Sequence, residues 1–285
     1  MTGITELHGM GWMPDLPDIR DFTQSHEQVD RLMKQMKVKA KAPTAFPNKM
    51  DLRGDCAPVE DQQTIGSCTA QAGVGLVEYF ERRASGEHID ASRLFLYKVT
   101  RNLLGWTGDT GAFLRTTMGA MVLFGVPPEK YWPYRIARYD EEPSTFLYAF
   151  AENYKAIKYY RLDPPGTDRQ TLLTRIKYLI AAHLPCMFGF TVYSSITQAE
   201  ESGEIPFPEA GDKRAGGHAV VAVGYEDKRK IGTHTGALLI RNSWGEDWGE
   251  DGYGYLPYQY VLSGLAVDWW SLIQAKWVDT GKFGF

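Results

Sequence analysis

Cysteine is scarce in this chain. Three residues, Cys56, Cys68 and Cys186, among 285 make a poor disulfide framework and point to a compartment where thiols stay reduced. Long apolar runs are missing as well. No stretch approaches the ~20 residues that a membrane span requires, so membrane insertion is not expected. Positive charge is not in excess: 31 Lys and Arg stand against 35 Asp and Glu, and no basic patch marks a nucleic-acid partner. Met1 to Asp21 has neither the basic start nor the apolar stretch of a secretory signal. The expected location is therefore the cytoplasm, or a destination reached without a cleaved signal peptide. Internal repeats are lacking, and no metal or cofactor is expected. What is present in quantity is apolar residues, at 44%, enough for a sizeable core or a two-lobed domain.

The stretch around which the rest is organised runs from Pro58 to Glu81 and centres on Gln62-Gln63-Thr64-Ile65-Gly66-Ser67-Cys68-Thr69-Ala70. Ala70, Val74, Val77 and Phe80 recur at helical spacing, Glu78 and Arg82 form an i,i+4 pair, and Gly86 offers a stop. Cys68 is thus expected in the first turn of a helix, beside free N–H groups and the positive end of the dipole, where thiolate is favoured over thiol. An isolated cysteine at a helix start is ordinarily a buried structural residue. Downstream stand Gly216-Gly217-His218-Ala219-Val220-Val221 and Leu239-Ile240-Arg241-Asn242-Ser243-Trp244-Gly245. A thiol nucleophile needs a base, and the base needs a group that fixes its ring. Cys68, His218 and Asn242 are the right three types, although a lone His before a strand and an Asn in a turn both have ordinary structural readings.

Together these motifs resemble those of the papain-like cysteine peptidases, in which His and Asn follow the cysteine by ~130–150 residues. Here His218 lies 150 positions beyond Cys68 and Asn242 lies 174 beyond it, a longer second interval that an insertion would explain. Phe46-Pro47-Asn48-Lys49-Met50-Asp51-Leu52-Arg53 is similar to the mature start of the family, and the short preceding segment is similar to that of a bacterial group within it.

The resemblance implies a peptide hydrolase acting through a thioester on Cys68, with His218 as general base and acid and a thiolate–imidazolium pair at rest. Asn242 would orient His218, and Trp244 would shield that contact from water. The oxyanion donors would be the Cys68 N–H and a glutamine side chain. Gln63 is a rival, but the six-residue family spacing selects Gln62. Thr110 and Gly111 would pair with the extended substrate, and Gly189, Gly216 and Gly217 would flank its pocket, though each glycine also reads as a turn or bend. Position 69 departs from the pattern, with Thr69 where the family often has Trp. Secreted relatives carry a disulfide cysteine three residues before the nucleophile, and Ile65 occupies that place. Cys56 and Cys186 read as small buried hydrophobes. Peptide or protein substrates are the expected partners. An acyl transferase or peptide ligase on the same triad is the alternative, as is an inactive papain-like binding module.

The expected fold class is α+β, a two-lobed papain-like arrangement. A helical left lobe (mainly 55–150) would face an antiparallel, β-rich, barrel-like right lobe (mainly 155–285), with the active site in the cleft between them. Residues 47–285 form the peptidase domain and 1–46 an N-terminal extension. In the extension, Trp12-Met13-Pro14-Asp15-Leu16-Pro17 reads as extended. Ser25 reads as the cap of a helix reaching about Lys39 with Val29, Leu32, Met33 and Met36 on one face, and Lys37 to Pro47 reads as a connector. The long helical prodomain pattern of many relatives is absent; Glu27 and Arg31 supply only its first pair. By resemblance the extension occupies the cleft as an inhibitor; a disordered tail or a strap across the back of the lobes is the alternative. Further helices are expected over 91–104, 114–124 and 172–182, and strands over 156–162, 186–192, 219–225, 237–241 and 252–255.

Overall fold

A computed structural model describes residues 8–38, 46–156, 158–273 and 282–283. Helices lead and strands follow. In order these are α1 (Glu27–Gln35), β1 (Lys49–Asp51), α2 (Cys68–Ser85), α3 (Arg93–Leu104), α4 (Leu114–Leu123), α5 (Thr145–Ala151), β2 (Lys158–Arg161), α6 (Arg169–Ala181), β3 (Cys186–Tyr193), β4 (Arg214–Ile231), β5 (His234–Arg241), β6 (Tyr253–Pro257), α7 (Tyr258–Ser263) and β7 (Ala266–Ile273).

Local chemistry sets the helix ends. α2 stops at Gly86, whose φ of 81° allows its N–H to reach back to the Arg82 carbonyl. α3 begins where the Ser92 hydroxyl accepts the Phe95 N–H and ends at Gly105 with φ 68°. The first four turns of α2 are buried on nearly all sides, so it is a central rod rather than a surface helix with one apolar stripe. That burial undoes the expected Glu78–Arg82 pair. Glu78 accepts from the buried Ala91 N–H and Arg82 donates to the Cys56 carbonyl. Burial also pushes the Glu78 carboxyl up to about 7. α1 is shorter than its pattern: His26, not Ser25, caps it, through Nδ1 accepting the Gln28 N–H. Val29, Met33 and Met36 are buried as expected. The end of that helix at Lys39 and most of the connector fall outside the described residues.

The strands form one antiparallel sheet in the order β2-β7-β3-β4-β5-β6, with β1 added on β4. Barrel-like closure is not seen among the described residues; the sheet is open, with β2 and β6 at its ends. Register shifts in the β4–β5 and β3–β7 pairs bend it instead. β7, with Trp269, Trp270, Leu272 and Ile273 buried, was not anticipated, although the apolar run is plain in the sequence. The sheet lies against the helices through α2, which packs on β3 and β4. This brings the first turn of α2 to the strand that carries His218.

Candidate active site

The loop before α2 holds one glutamine in and turns the next out. Gln62 is fully buried, and its backbone N–H donates to the Ser243 carbonyl at 2.8 Å. Its side-chain oxygen accepts from the Ser243 hydroxyl at 2.6 Å, and its Nε2 donates to the Ile65 carbonyl at 2.9 Å. One amide proton thus remains uncommitted by these contacts. Gln63 is exposed with a φ of 56°, its N–H turned onto Asp61. Tyr134 joins the loop from across the site, donating to the Gln62 carbonyl at 2.9 Å and meeting the Ser67 hydroxyl at 2.7 Å.

On β4, His218 is fully buried, with Nε2 2.7 Å from Asn242 Oδ1. The same oxygen accepts the Ser243 N–H at 2.9 Å, which identifies it as the carbonyl side of the amide. Nε2 therefore carries the proton of the neutral ring, and Nδ1, buried and without a hydrogen-bond partner, keeps its lone pair. Trp244 stacks on this imidazole (4.6 Å between centroids, 25° between planes) and receives Trp248 edge-on.

The N-terminal segment lies directly on these groups. The N–H groups of Gly11 and Trp12 both donate to the Gly217 carbonyl at 3.2 Å, and the Gly11 carbonyl accepts the Ala112 N–H at 2.8 Å. Met13 donates back to Ala112, so Trp12 and Ala112 pair as a parallel bridge. Gly9 donates to the Gln63 carbonyl and accepts from the Trp244 indole at 3.2 Å. His8 also stacks on Trp244 at 4.7 Å, so the tryptophan contacts two imidazoles. The approach of backbone to backbone is close enough to demand glycine. A Cβ on Gly11 would meet the Gly66 carbonyl oxygen at 2.0 Å, and one on Gly9 the Ile65 oxygen at 2.1 Å.

The side chain of Trp12 lies closely against two glycines. A Cβ on Gly189 would stand 1.9 Å from its indole, and one on Gly217 would stand 2.4 Å from its carbonyl oxygen. Gly216 faces Met10, and Gly111 faces the backbone of Gly11. Thr110 and Met13 line the same surface depression. The indole N–H donates to Asp268 at 3.1 Å. Asp268 is fully buried with a φ of 63°, accepts from the Trp270 indole at 2.7 Å, and lies 3.3 Å from Arg161. Sequence reading did not identify Asp268, because an aspartate between apolar residues carries no spacing signal. Beyond Trp12, Arg115 collects the segment's exit. It binds Asp15, the Leu16 carbonyl at 2.7 Å, and both oxygens of Asp21 at 2.7 and 2.8 Å.

Covering the site decides its charge state. Cys68 is the first residue of α2 and is completely buried. Burial pushes its thiol up to about 12, outweighing the pull of the backbone N–H groups of Ala219, Trp12, Gly11 and Thr69. Burial likewise pushes His218 down to about 4, against the opposing bond to Asn242. Against the thiolate–imidazolium pair expected at rest, burial under the segment favours the thiol and the neutral imidazole. Desolvation outweighs the helix end because no water reaches the sulfur. Cys56 is also buried, with its thiol pushed up to about 11, and Cys186 is buried; both are free.

Comparisons with known proteins agree on a family. Residues 46–265 match the family model of papain family cysteine proteases. The chain is 30% identical over 278 residues to an uncharacterised peptidase C1-like protein of Acanthamoeba polyphaga mimivirus, covering 93% of this chain and 87% of that one. It is 27% identical over 227 residues to chymopapain of Carica papaya, covering 76% of this chain and 56% of chymopapain's length. Among solved structures, xylellain, a cysteine protease from Xylella fastidiosa, superposes with a TM-score of 0.76 at 34% identity, over 94% of this chain and 97% of that one. The proform of the ragweed pollen cysteine protease Amb a 11 shares the fold, with a TM-score of 0.62 at 24% identity over 81% and 66% of the two chains.

Proposed function

The chain belongs to the papain family of cysteine proteases, and from that premise we propose that Cys68 is its nucleophile and that residues 9–13 hold it latent. Residues 47–285 then form the peptidase domain, and residues 1–46 its regulatory extension. The strongest support is the Asn242–His218 contact. It leaves Nδ1 as a buried base with no partner, on the strand that α2 packs against with Cys68 at its head.

With the segment withdrawn, Cys68 passes its proton to His218 Nδ1 and the thiolate attacks the scissile carbonyl carbon. The C–S bond forms, and the carbonyl π electrons move onto the oxygen. The Cys68 N–H and the free amide proton of Gln62 receive that charge. The intermediate collapses to a thioester, and the departing amine takes the proton from His218. Water then attacks the thioester with His218 as base, releasing the acid and restoring the thiol. Ser243 holds the Gln62 amide and Trp244 keeps water from the His218–Asn242 contact. The Gly217 carbonyl and the Ala112 N–H, which the segment now occupies, are free groups for the backbone of an extended peptide.

The test uses a generic peptide amide and a Cys68→Ala protein. The variant is expected to keep its circular dichroism spectrum and lose turnover. Hydrolysis at the parent rate would refute the nucleophile, and a ligated product in the presence of an added amine would reassign the reaction as acyl transfer.

A further inference from the structure

One carboxylate joins two loops on the helical side of this cleft without touching the proposed nucleophile, base or oxyanion donors. Asp109, on the loop between α3 and α4, accepts the Gly66 N–H with both oxygens, at 2.8 and 3.1 Å. The Tyr97 hydroxyl donates to the same carboxylate at 2.5 Å. Tyr97 is fully buried, and its oxygen in turn accepts the Gly111 N–H at 3.1 Å. The chain of contacts runs from the residue two before Cys68, through Asp109 and Tyr97, to the glycine that faces the bound segment. Both ends are buried backbone N–H groups that need an acceptor. No disulfide ties the two loops, since all three cysteines are free. Burial and the neighbouring carboxylate push the Tyr97 phenol far up, so it stays a donor at any working pH.

We propose that Asp109 is a positioning residue for the reaction. It sets the loop that aims the Cys68 N–H and sulfur and, through Tyr97, the height of the Gly111 wall on which substrate backbone lies. This rests on Cys68 being the nucleophile. The loop from Asp61 to Ser67 has no helix or strand of its own to hold it. Its Gly66 backbone is also pressed by the Met10 carbonyl, which a Cβ on Gly66 would meet at 2.7 Å. Without the acceptor, the turn into α2 gains freedom at the place where small displacements of reacting groups are most costly to rate.

The two arms separate in kinetics. Both are measured in full-length protein carrying Trp12→Ala, so that docking of the N-terminal segment does not enter. Asp109→Ala is expected to lower kcat by roughly 10- to 100-fold, in the range of a misplaced reacting group. Asp109→Asn keeps an acceptor for both Gly66 and Tyr97 while removing the charge, and is expected to restore kcat to within about threefold. Tyr97→Phe frees the Gly111 N–H and is expected to raise KM by roughly 2- to 10-fold, the effect of one hydrogen bond, with a smaller change in kcat. Melting curves check that Asp109→Ala is folded. If it is not, the Asn rescue and the KM shift of Tyr97→Phe decide the matter by themselves. Parent-like kcat in a folded Asp109→Ala protein, or an Asn variant as poor as Ala, overturns the proposal. A Cys68→Ala control that still turns over would instead overturn the nucleophile on which it depends.

Discussion

The two halves of the N-terminal extension hold on by different physics. Residues 9–13 lie in the cleft almost entirely by backbone, with two glycines pressed against carbonyl oxygens and a single large side chain, Trp12, packed against Gly189 and Gly217. Residues 21–38 hold by a short backbone pairing and, beyond it, by buried side chains. Phe22 and Thr23 run beside the edge strand β2, where the Arg161 N–H donates to the Phe22 carbonyl, and α1 sinks Val29 and Met33 into the core. Between them the chain bulges outward, with Leu16 84% and Ile19 97% exposed. Inhibitor and structural strap stood as competing readings of one segment. The contacts differ by position and support a division in which residues 9–13 are the proposed inhibitor and residues 21–38 the proposed strap. A stretch that pairs through backbone with the groups proposed to receive substrate is suited to leave, and a stretch that completes the core is not.

The largest effect should come from removing the strap. A chain starting at Phe46 loses Val29, Met33, Met36 and Val38, each at most 3% exposed. At ~2–5 kcal/mol for each large buried side chain, this is comparable with the ~5–15 kcal/mol that stabilises a whole domain. It is expected to melt far below the full chain or not to fold, as read by circular dichroism. An unchanged melt would erase the distinction between the halves. Trp12→Ala should act on activity instead. A lost tryptophan costs ~3–5 kcal/mol. Spent on docking, that shifts the covered state towards the open one by roughly 10²–10³-fold at ~1.4 kcal/mol per decade. Peptide hydrolysis and alkylation of Cys68 should both accelerate with little change in melting temperature, and equal rates in both assays would end the inhibitory reading.

Gly11→Ala should open the cleft less, by roughly 10-fold, since forcing a methyl against the Gly66 carbonyl costs ~1–3 kcal/mol. Acceleration there with Trp12 intact would show that backbone fit, and not the indole alone, holds the segment.

The pH dependence sharpens the same contrast. Burial holds the Cys68 thiol up at about 12 and the His218 imidazole down at about 4 while the cleft is covered. Opening admits water, so the thiol then titrates lower and the imidazole higher. The covered state keeps its proton on sulfur over a range where the open state has lost it. Docking is therefore fully supported below the open thiol's pKa and weakens as pH rises towards 12. It keeps His218 neutral where the open state would protonate it, so docking also weakens as pH falls towards 4. The ratio of Cys68 alkylation rates, Trp12→Ala over parent, should be greatest between these limits. A ratio independent of pH would mean that the segment does not control the charge of the pair. Ile19→Ala should be the smallest of all, within about 0.5 kcal/mol in melting and without effect on rate, because an exposed side chain between the two halves serves neither.

Several features were legible from local order alone. The spacing of Ala70, Val74, Val77 and Phe80 with Gly86 beyond announces α2, and it was found where expected. The motifs around Cys68, His218 and Asn242 resemble those of the papain family before any coordinate, and the match to that family's model agrees with the family reading. Propensity, periodicity and capping act over a few residues, so a linear chain displays them. The contacts that surprised join residues far apart in sequence. Trp12 reaches Asp268 across 256 positions, Gly66 reaches Asp109 across 43, and Glu78 leaves Arg82 for Ala91. The open sheet depends on register shifts between strands that no single strand encodes. The burial that favours the neutral forms of Cys68 and His218 belongs to the same class. The helix N-terminus that favours thiolate is written in local sequence, but the water that would solvate the charge is excluded by a segment more than fifty residues upstream. Desolvation is a property of everything packed around a group, and only the tertiary structure decides what that is.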